Sequence, residues 1–415
     1  MRPSTQGHPQ GVAPYQPCQA PCIAHTLWRK NPLLLTAQGT QDIFHICDLL
    51  TLLDEGDFEV NPLPVGKLPT PLLRRFIDKI GIEDEQVVVG PSIGEDAAVI
   101  RFGNKLLVAK TDPVTFATDL IGWYAVHINA NDIATMGVKP RWFMATILLP
   151  EQSTHQEAEG IFDQILSACS FLGITLVGGH TEITYDLKRP VVVGCMLAES
   201  ENQSIITTSG AKPGDDIVLT KGIAIEGTAL LAREAKQLRL SSMLSKDLLQ
   251  QAASYIFSPG ISVVKEALTA CSKVTVNCMH DPTEGGLSTG LSEIASAARV
   301  GILVEENKIP VLAECKAICD SLDLDPLGLL ASGALIITLP CSETARLLAV
   351  LDEVGINASI IGKVVEVEEG LKMLTTTGIK DLPQFERDEL ARLLDNQDAA
   401  VRKPAPPQAE EGERA

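Results

Sequence analysis

Alternating apolar and polar positions in the first half of the chain predict interleaved helices and strands. Apolar residues recur at the i, i+4, i+7 spacing of one helix face from Ile121 to Met136. Short apolar runs on either side predict buried strands, and longer amphipathic stretches predict further helices. The predicted helices lie at 71–80, 121–136 and 154–172, and the predicted strands near 87 and 97 and at 106–110, 142–149, 174–177 and 191–197.

The second half repeats this mixed pattern after a polar stretch, 199–214, which predicts a domain boundary. Helices are predicted at 229–234, 246–254, 261–271, 342–354 and 384–394, and strands at 217–219, 274–278, 302–304, 334–339 and 360–365. The expected division is an extension at 1–62, an N-terminal domain at 63–205, a C-terminal domain at 206–395 and a disordered tail at 396–415. The fold class is therefore α/β and α+β in two domains.

Residues 1–62 have three possible interpretations: a flexible extension, a small added helix, or sequence upstream of the functional start. The length of 415 residues fits two domains, and 45% apolar residues suffice for packed cores. The net charge of −19 argues against binding to nucleic acid or to an anionic membrane, and no run of 18 apolar residues predicts a membrane span.

Scattered cysteines with apolar neighbours predict reduced, buried thiols in a cytoplasmic protein. The cysteines with this prediction are Cys169, Cys195, Cys278 and Cys341.

Acidic residues at the ends of apolar runs are the first candidates for chemistry. Asp96 precedes the run 97–100, Asp112 follows the run 106–109, and Asp132 lies within the apolar stripe of the predicted helix. A lone buried carboxylate is costly, so it normally has a cation or a hydrogen-bond donor nearby. We expect these three to meet around Mg²⁺, which joins carboxylates where phosphates are handled. Alternatively, Asp132 bonds a neighbouring turn.

A fourth acid, Asp281, follows a predicted strand and precedes Pro282, as Asp112 precedes Pro113. A helix with Gly285 and Gly286 in its first turn follows it. Free N–H groups at a helix N-terminus can approach an anion such as phosphate, and glycine permits a close approach. The alternative is that Asp281 is only the N-cap of this helix.

Six motifs in order resemble the aminoimidazole ribonucleotide synthetase (PurM-like) superfamily, and most closely its HypE-like branch. They are GEDAAVI, KTDP, NANDIATMG, LVGGHTE, SGAKPGD and HDPTEGGL, and the resemblance spans about 63–394. It implies an N-terminal α/β domain that dimerises through a barrel-like sheet, a C-terminal α+β domain, and ATP with Mg²⁺ between them. No Walker A pattern is present, so the nucleotide is not expected on a P-loop.

The resemblance also assigns roles to single residues. Metal-binding acids are Asp96, Asp112, Asp132 and Asp281; nucleotide contacts are Gly94, Asp96, Gly178, Gly179, Thr181, Glu182, Gly285 and Gly286; catalytic candidates are Asp132 and His180. His180 stands where the HypE-like and kinase branches carry Asp, so it is expected either to contact phosphate or transfer a proton, or to be a turn histidine bonded to a backbone carbonyl. Lys221 is a further candidate for neutralising a phosphate, whereas His127 and His280 are expected to be structural.

The resemblance implies an ATP-using enzyme that phosphorylates a carbonyl, carbamoyl or phosphate oxygen of a small-molecule or protein-borne acceptor. HypE carries its acceptor on a terminal cysteine, but no cysteine follows Cys341 in this sequence. Two alternatives therefore stay open: a HypE-like hydrogenase maturation factor that acts on another protein, and a non-catalytic module that senses ATP.

Overall fold

The computed structural model describes residues 63, 65–115, 117, 119–201 and 205–402, with side chains up to residue 395 in the last helix. All of these except Leu63 belong to one compact unit, Pro64–Ala415. The interpretations of 1–62 and of the tail beyond 402 fall outside the described residues. Among the described helices, none is long and apolar enough to cross a membrane.

The first half forms a six-stranded sheet in the order β1-β2-β3-β6-β4-β5. Neighbouring strands are antiparallel except β4 and β5, which are parallel. Its elements, in chain order, are α1 (Thr70–Ile77), β1 (Val87–Val89), β2 (Ala98–Phe102), β3 (Lys105–Val114), α2 (Ile121–Thr135), β4 (Trp142–Leu149), α3 (His155–Leu172), β5 (Thr175–Ile183) and β6 (Val191–Ser200).

Helix α2 is central to this half because it packs on β3 and β6 while α3 covers it. Almost every side chain of α2 is buried, so the helix is enclosed on all sides rather than amphipathic. Helix α3 begins after Thr154, whose side chain accepts a hydrogen bond from the backbone N–H of Glu157, and it ends at Gly173 in the left-handed conformation. The layers therefore place the acid-bearing helix α2 directly on the sheet.

The second half forms a seven-stranded sheet in the order β13-β12-β9-β11-β7-β10-β8, antiparallel except for the β12–β9 pair. Its elements are β7 (Asp215–Thr220), α4 (Ile225–Arg233), α5 (Lys246–Ala253), α6 (Val264–Lys273), β8 (Cys278–His280), α7 (Gly286–Ala298), β9 (Gly301–Glu305), α8 (Ala313–Leu322), β10 (Ile336–Pro340), α9 (Cys341–Glu353), β11 (Ala358–Val365), β12 (Leu371–Thr375), β13 (Gly378–Asp381) and α10 (Glu389–Arg402).

The structure corrects several local predictions. Residues 178–182, predicted as a turn, continue strand β5. The last helix runs to Arg402, past the predicted start of the tail at 396. Cys341 begins a helix at the surface and is exposed, and Cys195 is half-buried, whereas Cys169 and Cys278 are buried as expected. Helix α8 and the β12–β13 hairpin were not predicted.

Candidate functional site

Three of the four predicted acids converge where α2 meets the loops before β2 and after β8. Carboxylate oxygens of Asp96, Asp132 and Asp281 lie within 4.8 Å of one another, and all three residues are buried. Asp132, with 4% of its surface exposed, projects from the last turn of α2. Asp281 is not the cap of the following helix, because Gly285 occupies that position. The cluster thus joins residues from both halves of the chain.

The fourth acid, Asp112, lies beside the cluster and is connected to it by Lys110. The Lys110 Nζ atom is 3.4 Å from Asp132 Oδ2 and 3.7 Å from Asp112 Oδ2. Lys110 and Asp112 are two residues apart on β3, so their side chains project from the same face of the sheet. Burial disfavours the ammonium form, but Asp132 and Asp112 outweigh it and raise the pKa of Lys110.

His280 connects the cluster to α7. Its Nδ1 atom lies 2.9 Å from Asp96 Oδ1, and its Nε2 atom lies 2.9 Å from Glu293 Oε2. The imidazole is buried, which disfavours its charge, but the two carboxylates prevail and raise its pKa well above the usual value. His280 therefore orients Asp96 and supplies positive charge beside it. Its role is structural, but it lies within the candidate site.

The carboxylates retain free capacity for a cation. Asp96 Oδ2, Asp132 Oδ2 and both side-chain oxygens of Asp281 are buried without a hydrogen-bond partner among the described residues. Burial raises the pKa of Asp132 to about 8, with Lys110 opposing, and burial together with Asp132 and Asp96 raises that of Asp281. Hard oxygen ligands gathered in this way suit Mg²⁺, whose charge would offset their repulsion. The residues present therefore fit the expected metal.

Gly94 serves the packing of this region. Its φ of +85° lies in the left-handed range, and a Cβ atom there would be 3.1 Å from the carbonyl oxygen of Glu293. A larger residue would push the loop that carries Asp96 away from α7. Lys67 lies close by, with its Nζ atom 3.5 Å from Glu293 Oε1 and its backbone N–H donating to Glu284 Oε2 at 2.8 Å.

The N–H groups of Gly285 and Gly286, expected to be free for an anion, are already used. Gly285 donates to Asp388 Oδ2 at 2.7 Å, and Gly286 donates to the carbonyl of Thr283 at 3.1 Å. The anion at the start of α7 is therefore a carboxylate from the C-terminal segment of the same chain. Both glycines have positive φ, which this tight turn requires.

The segment from Gly178 to Glu182 lies apart from the carboxylates, on the edge strand β5. Cross-strand pairing aligns Asp112 with Gly194, Gly194 with Ala145, and Ala145 with Gly179. Three strand spacings separate β3 from β5, roughly 14 Å. Within one chain, these residues therefore lie at the same position along the strand direction as Asp112, but they do not contact it.

Side chains of this edge segment face solvent. His180 is exposed, and its Nε2 atom is 3.0 Å from Glu182 Oε2. Gly178, Gly179, His180 and Thr181 line a cavity of about 370 Å³ next to Phe162. A Cβ atom on Gly179 would lie 2.2 Å from the Ala145 carbonyl oxygen, so the second glycine permits close strand pairing.

Lys221, a candidate for a phosphate contact, already pairs with other residues of the chain. Its Nζ atom lies 2.7 Å from Glu266 Oε1 and donates to the carbonyls of Ser262 and Gly260 at 2.7 and 3.2 Å. Both members of this ion pair are buried. Lys221 therefore stabilises the packing of α6 and is not available to a ligand, which corrects the sequence-based expectation.

A larger cavity of about 500 Å³ adjoins the carboxylate cluster. The residues that line it include Lys67, Asp112, Glu226, Thr283 and Ser332. Because Lys110 pairs with both Asp112 and Asp132, the cavity and the cluster form one continuous polar region.

Family comparisons match both halves of the chain. Residues 94–199 match the model of the AIR synthase related protein N-terminal domain, and residues 212–372 match that of its C-terminal domain. The chain belongs to the AIR synthase related protein family. This confirms the resemblance deduced from the six motifs and, with the two sheets described above, the expected fold class.

Similar members of the AIR synthase related family include two curated proteins. A putative hydrogenase expression/formation protein of Methanocaldococcus jannaschii is 27% identical over 77% of this chain and 94% of its own length. The carbamoyl dehydratase HypE of Cupriavidus necator is 30% identical over 61% of this chain and 70% of its own. The crystal structure of the hydrogenase maturation protein HypE in complex with ATP has a TM-score of 0.59 at 23% identity, covering 77% of this chain and 92% of that one.

Sequence reasoning missed the residues that support the acids in this AIR synthase related chain. Lys110 was recoverable, since it precedes Asp112 by two positions in the KTDP motif and must share its strand face. Glu293 and Lys67 carry no comparable signal, because the contacts of Glu293 with His280 and with Lys67 join segments that are distant in the sequence.

Proposed function

We propose that this chain is a Mg²⁺-dependent, ATP-using enzyme that transfers a phosphoryl group to a carbonyl, carbamoyl or phosphate oxygen of a small-molecule or protein-borne acceptor. The observation that carries the proposal is the buried cluster of Asp96, Asp132 and Asp281, in which four of the carboxylate oxygens accept no hydrogen bond from the described residues. Such a cluster is costly unless a cation joins it. The similarity to a HypE structure in complex with ATP supports a nucleotide as the ligand that brings the metal.

The chain's own residues have distinct tasks in this proposal. Asp96, Asp132 and Asp281 hold Mg²⁺, which when bound would neutralise charge on the phosphates and on the transferred group. Lys110 pairs with both Asp132 and Asp112 and opposes the rise in the pKa of Asp132 that burial causes. His280 keeps Asp96 in place. We retain Asp112 as an additional ligand, because it lies next to the cluster.

Nucleotide contacts from Gly178, Gly179, His180, Thr181 and Glu182 require either an elongated ligand or a second copy of the chain, given their position on the edge strand. We propose a homodimer. Strand β5 is an exposed sheet edge on which Val177 and Ile183 face solvent, and Phe162 and Leu166 of α3 are exposed nearby. Open sheet edges and clustered apolar side chains favour association with another copy.

We also propose a cytoplasmic location and no nucleic-acid partner. All cysteines that the structure describes are free, as is usual in a reducing compartment. The net charge of −19 disfavours a polyanionic partner.

A carbamoyl group presented by another protein is a second candidate acceptor, favoured by the similarity to carbamoyl dehydratase HypE. In the remaining alternative the chain senses ATP without consuming it. The products separate these cases: an enzyme releases ADP faster when its acceptor is present, whereas a sensor leaves ATP intact. A carbamoylated peptide is the probe for the second candidate.

The first prediction concerns Asp132→Asn. Calorimetric titration of ATP with Mg²⁺ should show binding to the wild-type protein and a loss of roughly tenfold or more in the variant, because one carboxylate ligand is removed. Binding to the wild-type protein should also disappear when EDTA removes the metal. ADP formation is followed in the same samples.

Asp163→Asn is the matched control, because Asp163 is an exposed aspartate on α3. It should bind Mg²⁺ and ATP as the wild type does. Equal binding by Asp132→Asn and wild type, or binding that is indifferent to EDTA, would refute the metal assignment.

A further inference from the structure

The cavity of about 500 Å³ beside the carboxylate cluster is lined by both charged and apolar residues. Its lining includes the charged side chains of Lys67, Asp112 and Arg189 and the apolar residues Ile128 and Leu330. Glu226 and Ser332 also line it. A cavity of this size with a few convergent polar groups is typical of a small-molecule site.

Glu226 lies in the first turn of α4, where the helix dipole favours a carboxylate. Only 4% of the residue is exposed, and its Oε2 atom is buried without a hydrogen-bond partner among the described residues. Burial raises the pKa of Glu226 to about 7, and the Ser332 side chain opposes this rise only in part. The dipole alone does not offset the desolvation of an acceptor that has no donor.

Ser332 lies beside Glu226. Its hydroxyl is buried and close enough to the Glu226 carboxyl to oppose the rise in the pKa of that group, but it makes no hydrogen bond of good geometry within the part of the chain that the structure describes. The backbone N–H of Glu226 donates to the Ser332 carbonyl at 3.2 Å, and that of Gly227 donates to the Leu330 carbonyl at 2.9 Å. These two bonds fix the start of α4 against the segment 330–332. The unpartnered groups are therefore held side by side on one wall.

Buried polar groups in native proteins are normally hydrogen-bonded to protein, to water or to a ligand, so an unpartnered carboxyl oxygen that lines a cavity points to a group bound there. A carboxyl oxygen accepts hydrogen bonds, and a serine hydroxyl both donates and accepts. Glu226 and Ser332 together would be satisfied by a group that carries N–H donors. An acceptor-only anion would instead meet the Glu226 carboxylate and be repelled.

We propose that Glu226, assisted by Ser332, selects an N–H-bearing ligand in this cavity, namely an amine, amidine or amide compound rather than a carboxylate. The inference rests on the proposed function in one respect: the ligand would be the phosphoryl acceptor or the part of it next to the reacting oxygen. Glu226 is thus a specificity-determining residue, separate from the metal-binding acids.

The first test is the stability of the free protein above pH 8, where Glu226 is ionised. Glu226→Gln and Glu226→Leu should raise the midpoint of thermal unfolding by a few degrees, because each removes a desolvated charge that has no partner. Glu368→Gln, at an exposed position, is the control and should leave the midpoint unchanged. A lower midpoint for both Glu226 variants would mean that the carboxylate serves packing, and it would overturn the proposal.

The second test compares propionamide with propionate, which have nearly the same shape but differ in N–H groups. Saturation-transfer NMR with Mg²⁺ and a non-hydrolysable ATP analogue should detect propionamide and not propionate on the wild type. Glu226→Leu should weaken the amide roughly tenfold or more, because a hydrogen bond to a charged group is lost. Equal amide signals from the two proteins, including no signal in either, would overturn the proposal.

Calorimetry with Mg²⁺ and ATP separates this inference from the proposed function. Glu226→Leu should bind the nucleotide as the wild type does, because the aspartate cluster is intact. If the wild type binds no nucleotide but discriminates between the two probes without it, the cavity assignment survives and the proposed function fails.

Discussion

Single side chains in the carboxylate cluster illustrate what a sequence can reveal about a site. Asp96, Asp132 and Asp281 were predictable because each interrupts or borders an apolar run, so burial of a charge followed from the pattern alone. The contact of His280 with Asp96 was not, because nothing local to either residue indicates the other. Three-dimensional packing thus assigns a role to a histidine that the sequence suggested was merely structural.

His127 provides a prediction at the same scale. It is buried in α2, stacks on Trp123 with ring centroids 4.3 Å apart, and has a pKa lowered to about 4 by burial. Between pH 6.5 and 4 the unfolded chain binds the proton and the folded chain does not, so stability falls as the pH falls. His127→Phe should reduce the fall in the free energy of unfolding between pH 6.5 and 4 by up to about 3 kcal/mol.

Urea unfolding of the wild type and His127→Phe across this pH range measures the difference. His155→Phe, at the exposed first residue of α3, is the control, because this substitution removes a histidine that is not buried. Parallel pH profiles for wild type and His127→Phe would contradict the assignment.

Among the secondary-structure elements, β5 was predicted least well. The Gly178-Gly179 pair indicated a turn, since consecutive glycines usually do. Instead, Gly179 lies in strand β5, at a position where a side chain would clash with the Ala145 carbonyl. Glycine can mark a close approach of two backbones as readily as a turn, and sequence alone does not distinguish them. Strand β4, by contrast, matches its predicted bounds at 142–149 because its apolar run is unbroken.

The exposed β5 edge leads to a prediction about association. Ile183→Lys should convert the proposed dimer to a monomer at micromolar concentration, because a charge would be buried in the interface. Sedimentation-velocity measurements report the oligomeric state. Ile379→Lys on β13 is a matched control, since Ile183 and Ile379 are 62% and 63% exposed. A monomeric wild type, or an unchanged dimer in Ile183→Lys, would argue against association through β5.

Across the whole molecule, Asn131 joins the two halves of the chain. Its side chain donates to the Ile261 carbonyl at 2.9 Å and accepts from the Val263 N–H at 2.8 Å, fully buried. Asn131→Ala leaves both backbone groups unsatisfied and should reduce the free energy of unfolding by roughly 2 kcal/mol or more. Urea denaturation tests this, with exposed Asn357→Ala as the control. Equal losses of unfolding free energy in both variants would show that the hydrogen bonds of Asn131 do not stabilise the contact between the two halves.

At this scale the sequence predicted the two sheets in outline, because polar residues separate β6 from β7. It could not predict that α2 of one half would provide the hydrogen bonds that hold the segment before α6 of the other. Nor did it predict the extent of α10, whose first turn is fixed by a bond from the backbone N–H of Asp325 to Glu389 Oε2. Both features depend on contacts between distant segments.

The carboxylate of Asp388 at the start of α7 has a consequence for any anion that approaches the Gly285 turn. A phosphate there meets an intramolecular competitor, which is present at a high effective concentration because it is tethered to the same chain. Docking of the C-terminal segment and anion capture at this turn are therefore mutually exclusive states of one binding equilibrium.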